Sequence, residues 1–108
     1  MRLPPDAFVD LMKLEDYCLC PTHPEGKHKA RVFQSALGIT AADAVWLQDE
    51  ILAAALREEC NPGRNSSHGQ RYTVDFSVRR NSREARIRSA WIVRSGETFP
   101  RLSSCYVL

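Results

Sequence analysis

The chain has 108 residues, 44% of them hydrophobic and 26% charged, with a formal net charge of +2. That length holds one hydrophobic core and not two, so a single domain spanning residues 1–108 is expected. No apolar run approaches the ~20 residues a bilayer crossing needs, and Met1-Arg2-Leu3-Pro4-Pro5-Asp6 lacks the apolar stretch of a signal peptide. No membrane partner is expected, and the cytoplasm is the expected compartment, with Cys18, Cys20, Cys60 and Cys105 kept as thiols.

Residues 1–6 read as a loose arm, and Ala7-Phe8-Val9-Asp10-Leu11 as a short extended segment or edge strand. Met12 to about Cys18 reads as a short helix, with Leu14 and Cys18 one turn apart. Pro21, Pro24 and Gly26 punctuate the chain before a second helix, Lys27 to Leu37, whose apolar positions are Ala30, Phe33 and Leu37. Gly38 fits its C-terminal end. Thr40 and Asp43 form a capping pair for a third helix ending near Glu59, with Ala44, Leu47, Ile51, Ala54 and Ala55 on one face. Asn61 to Gly69 is rich in turn residues and reads as a mobile loop.

From Gln70 the apolar period becomes two. Tyr72, Val74, Phe76 and Val78 alternate with polar residues, and so do Ile87, Ser89, Trp91 and Val93 after a turn at Arg80–Arg83. A last strand follows Pro100. Short connections predict an antiparallel meander of three to four strands, with the N-terminal helices packed on one face: an α+β fold. The packed face is expected to hold Tyr72, Val74, Phe76, Ile87, Trp91, Val93, Leu102 and Tyr106. The open face is expected to carry Arg71, Arg79, Arg86, Arg88 and Arg94. Charge is uneven along the chain: residues 1–69 hold seven Lys/Arg against ten Asp/Glu, and residues 70–108 hold eight arginines against three acids. An arginine-lined face suits a phosphate backbone, or it simply balances acidic helices.

The stretch Pro21–Phe33 concentrates chemistry. Lys27, His28 and Lys29 open a helix, where unpaired N–H groups and the macrodipole favour an anion. Cleavage of RNA needs a group to deprotonate the 2′-hydroxyl, a proton donor and cations for the phosphorane. His28, Lys27, Arg88 and Ser89 are the catalytic candidates; Lys29, Arg71, Arg86 and Tyr106 are the candidates for holding substrate. The competing reading makes His28 an ordinary exposed residue and the lysines solubilising. Cys18-x-Cys20-x-x-His23 with His28 offers zinc-ligand types, but the spacing is cramped and Cys18 fits an apolar helix face, so neither a metal nor another cofactor is expected. Motifs of serine hydrolases and of nucleotide-binding loops are absent.

Lys13-Leu14-x-x-Tyr17-Cys18-Leu19, His23-Pro24-x-Gly26-Lys27-His28-Lys29-Ala30-Arg31-Val32-Phe33, Leu37-Gly38, Arg88-Ser89-Ala90-Trp91-Ile92-Val93 and Leu102-x-x-Cys105-Tyr106 together resemble a small bacterial domain family of unknown function, over nearly the whole chain. The resemblance implies a short protein encoded beside a small barrel-like one, with related domains at the C-termini of secreted toxins. By layout the chain is also similar to the metal-free ribonucleases that include barnase, EndoU, colicin and RelE-type toxins. Those enzymes have four or more strands, so Ala7–Leu11 is expected to supply the fourth here. The resemblance implies a metal-independent, toxin-type ribonuclease acting on RNA. The alternative is a non-enzymatic interaction module bound to a cognate, antitoxin-like or immunity-like small protein.

Overall fold

A computed structural model describes residues 1–108. The chain opens with the short helix α1 (Leu11–Lys13), which runs into a π-helical turn, Leu14–Cys18. Asp10 caps it by accepting from the Met12 N–H at 3.0 Å, and the wide turn closes where the Leu19 N–H reaches the Leu14 carbonyl. Helix α2 (Gly26–Leu37) buries Ala30, Phe33 and Leu37, the three positions that helix spacing selects. It ends at Gly38 with φ 69°, a left-handed conformation open to glycine at no steric cost. A 3₁₀ turn (Ala41–Asp43) leads into α3 (Ala44–Arg57), and the Asp43 carboxylate accepts from the Thr40 N–H at 2.9 Å. Ala44, Leu47, Ile51, Ala54 and Ala55 are buried as expected.

Four antiparallel strands follow in the order β1-β2-β3-β4: β1 (Asn61–Ser66), β2 (Gly69–Arg80), β3 (Arg83–Arg94) and β4 (Arg101–Val107). The fold is therefore α+β, with the helices N-terminal to the sheet. Trp91, Phe76, Val74 and Ile87 lie fully buried against the helices. The buried polar group on that face, Ser89, is satisfied: its hydroxyl donates to the Val74 carbonyl at 2.8 Å and accepts from the Trp91 indole at 2.9 Å.

Four local expectations are corrected. The Asn61–Gly69 segment is not a loop but an edge strand and its turn, paired with β2 from Asn61↔Thr73 to Ser66↔Gly69. Nearly all its side chains are exposed, so no apolar alternation marks it, and Pro62 is tolerated because an edge strand leaves one side unpaired. Ala7–Leu11 accordingly adds no full strand; it contributes one parallel bridge, Phe8↔Arg101. The first residues are also tied down. Leu3 and Val9 are buried, and the Cys60 N–H donates to the Met1 carbonyl at 2.8 Å.

The fourth correction turns on a bulge. Pairing runs Ala90↔Ser104 and then Trp91↔Leu102, which leaves Ser103 as an extra residue in β4. Alternation slips there, so Leu102 and Cys105 face the helices while Tyr106 turns to the open face opposite Arg88. Strict period-two counting from Leu102 places Tyr106 on the wrong side.

Candidate functional site at the α2–β4 junction

Much of the Pro21–Phe33 stretch is occupied with holding α2 in place. The His23 imidazole Nδ1 accepts from the Glu25 N–H at 3.0 Å and the Gly26 N–H at 2.9 Å, so a side chain of the chain itself fills part of the anion-seeking helix start. The same ring meets Tyr17 edge-on, with centroids 4.9 Å apart. Gly26 is buried where a Cβ would collide with the Tyr17 carbonyl oxygen. Lys29 donates to the Tyr17 hydroxyl at 3.0 Å, and that bond raises the lysine's pKa. Tyr17 is thus the anchor on which His23, Gly26 and Lys29 converge, and periodicity did not single it out.

Lys27, His28 and Arg31 remain exposed. His28 shares a shallow hollow of about 350 Å³ with Lys29 and Val32 of α2 and with Tyr106 and Val107 of β4. Lys27 does not join them. One residue on, a helix has turned by about 100°, and Lys27 lines a separate hollow with Leu19, Pro21, Ala30, Arg31 and Gln34. Ser89 lies away from both hollows, buried on the packed face by the parity of β3, with its hydroxyl engaged at each end.

On the open face Arg88 forks onto Asp75, its cross-strand partner, through two bonds of 2.8 Å. This pairing holds the Asp75 carboxyl below the ordinary range and pushes Arg88 up, aided by the Tyr106 hydroxyl beside it. Tyr106 therefore links the hollow to the sheet arginines. Arg86 donates to the Ser77 hydroxyl at 3.1 Å and stays exposed; Arg71 is exposed two residues before Thr73, on the same face. Arg80 pairs with Asp43 and stacks on Trp46, and Arg101 pairs with Glu97 between Phe8 and Phe99.

The candidate metal ligands do not converge. Cys18 is fully buried in the hydrophobic core, Cys20 contacts the Thr22 hydroxyl at 3.4 Å, and His23 is engaged by the helix start. No cluster of three His, Cys, Asp or Glu side chains suited to a metal is present. No helix is long and apolar enough to cross a membrane.

Neither a curated protein nor a solved structure matches the chain. Residues 4–108 match the family model of a domain of unknown function, DUF6883, and the chain belongs to that family.

Proposed function

We propose that the α2–β4 junction binds and cleaves RNA phosphodiesters without a metal. The observation that carries this reading is the hollow in which an exposed histidine, a lysine and a tyrosine meet beside Arg88. In the reaction His28 takes the proton of the 2′-hydroxyl. The 2′-oxygen then attacks phosphorus to form a 2′,3′-cyclic phosphate, and the bond to the 5′-oxygen breaks as that oxygen takes a proton from water and leaves as a hydroxyl. Lys29 keeps two N–H donors beyond its bond to Tyr17, and Arg88 keeps N–H groups beyond its fork on Asp75. Both can therefore stabilise the phosphorane, and Tyr106 can donate to a phosphate oxygen. The exposed Arg86 and Arg71 would hold flanking phosphates. The helices-before-sheet layout with four strands also agrees with the metal-free ribonuclease resemblance.

A short RNA labelled at one end, incubated with the purified protein in chelator, tests the proposal. Cleavage is expected, and His28→Ala should reduce it by at least ~10²-fold, the usual contribution of a general base. Absence of cleavage by the wild-type protein, or equal cleavage by His28→Ala, defeats the catalytic reading.

A second reading rests on the hollow's walls, which are largely aliphatic and aromatic: Val32, Tyr106 and Val107. Such a surface accepts an apolar side chain of a small protein partner. If the cognate neighbour-encoded protein binds the wild type and Val32→Glu abolishes binding while RNA stays intact, the interaction module is the better description.

A further inference from the structure

Phe8 is an exposed aromatic residue on a fixed support. Its N–H donates to the Pro100 carbonyl at 2.8 Å, and its carbonyl accepts from the Leu102 N–H at 3.0 Å. The residue is thereby pinned to the start of β4, yet it remains 44% exposed. The Arg101 guanidinium lies 5.5 Å from the Phe8 ring centroid and 4.8 Å from that of Phe99. Two bonds to the Glu97 carboxylate, of 2.9 and 2.8 Å, fix its plane and neutralise its charge. Ring, guanidinium and ring thus form a preorganised aromatic surface.

Two hollows meet at this surface. One, of about 380 Å³, is lined by Asp6, Phe8, Phe99 and Arg101. The other, of about 190 Å³, shares Phe8 and Arg101 and has Lys13 and Arg94 in its walls. Lys13 and Arg94 are exposed, and no carboxylate lies within bridging distance of either. Asp10, the acid of that second hollow, is engaged in capping α1. Asp6, the acid of the first, is exposed and has no cation within bridging distance.

We propose that this corner is a subsite for one unpaired RNA base, and that it favours cytosine over uracil. The inference rests on the RNA reading of the open face and adds to it a place where a base is held. A base stacks on Phe8; stacking accepts every base, so the ring gives affinity and not choice. Lys13 and Arg94 take the neighbouring phosphates. The choice comes from Asp6, whose carboxylate can only accept. Cytosine presents an amino donor at N4, whereas uracil presents a second acceptor, O4, at the same place. Cations and acceptor line different hollows, with the aromatic surface common to both, so phosphate and base edge each find the matching charge.

The position fits a continuous strand. Arg88 and Arg94 lie on the same face of β3, about 20 Å apart along the strand. An RNA held near Arg86 and Arg88 therefore runs over β3 to Arg94 and this corner.

Short 2′-O-methyl oligonucleotides lack the free hydroxyl that cleavage uses, so they report binding alone. Fluorescence anisotropy with the full chain at low salt compares oligocytidylate with oligouridylate. Oligocytidylate is expected to bind at least ~5-fold more tightly. Phe8→Leu keeps an apolar side chain without a π face and should weaken both by about 5- to 150-fold, while Phe8→Tyr should bind as wild type. Asp6→Asn suits the same left-handed backbone, φ 67°, and should erase the preference. The comparison of the two oligomers on the wild type needs no variant to fold. Equal affinity for both, or undiminished binding by Phe8→Leu, would overturn the subsite and leave the RNA reading of the open face standing. No binding of either oligomer by the wild type would remove that reading and the subsite with it.

Discussion

Tyr17 sets the position of α2 through contacts of three chemical kinds: a ring edge against His23, a carbonyl against Gly26 and a hydroxyl bonded to Lys29. Gly26 is the least replaceable of these partners, because the atom a Cβ would strike is backbone and cannot swing away. Gly26→Ala should therefore cost about 1–3 kcal/mol, the usual penalty for overpacking, read as a lower urea midpoint with an unchanged slope. A variant as stable as wild type would mean that α2 shifts freely over Tyr17. The sequence marks Gly26 as a turn-former, and the turn is there, but the close approach that demands glycine involves a residue nine positions earlier. The same limit applies to Lys29. Its place in a basic run is legible, whereas its commitment to a phenol depends on how two helical segments cross.

The helices and the central hairpin were legible because their packing repeats with the backbone period. Ala30, Phe33 and Leu37 mark α2, and Val74, Phe76 and Ile87 mark the buried face of β2 and β3. β1 was not legible, since an exposed edge strand made of Asn-Pro-Gly-Arg-Asn-Ser is held by backbone bonds that leave no apolar pattern. The Ser103 bulge was hidden for a related reason: one extra residue changes the face of everything after it without changing composition. On the open face of the hairpin, Arg88 and Asp75 give a prediction with a definite sign. Asp75 has a depressed pKa when folded, so its contribution is present above the ordinary carboxylate range and is lost as pH falls through the folded value. Asp75→Asn should consequently lose less stability than wild type between pH 7 and acid below about pH 4. The difference should stay under about 1 kcal/mol, because the pair is partly exposed. Urea midpoints at the two pH values measure it, and parallel losses would show that the fork contributes nothing.

Charge is sorted across the molecule by which arginines find an acid. Of the eight arginines in residues 70–108, Arg80, Arg88 and Arg101 are ion-paired and Arg83 donates to the Ser35 carbonyl at the end of α2. Arg71, Arg79, Arg86 and Arg94 have no carboxylate partner within bridging distance, and the parity of β2 and β3 puts all four on the face away from the helices. Composition revealed the arginine excess but not this division, because the acids that neutralise Arg80 and Arg101 lie in a distant turn and a neighbouring loop. On the proposed reading the four unpaired arginines are the ones that meet phosphates. Each phosphate neutralised on a single strand contributes about −0.7 to the slope of log affinity against log salt. Binding of a short single-stranded RNA to cleavage-deficient His28→Ala protein should thus weaken steeply with salt. Replacing Arg79 and Arg86 together by glutamine should make the slope shallower by about 1.4, two phosphates' worth, while the paired Arg101→Gln should leave it nearly unchanged. An unaltered slope in the double variant would place the RNA elsewhere than on this face, and a slope near zero in the parent protein would remove the electrostatic argument for RNA altogether.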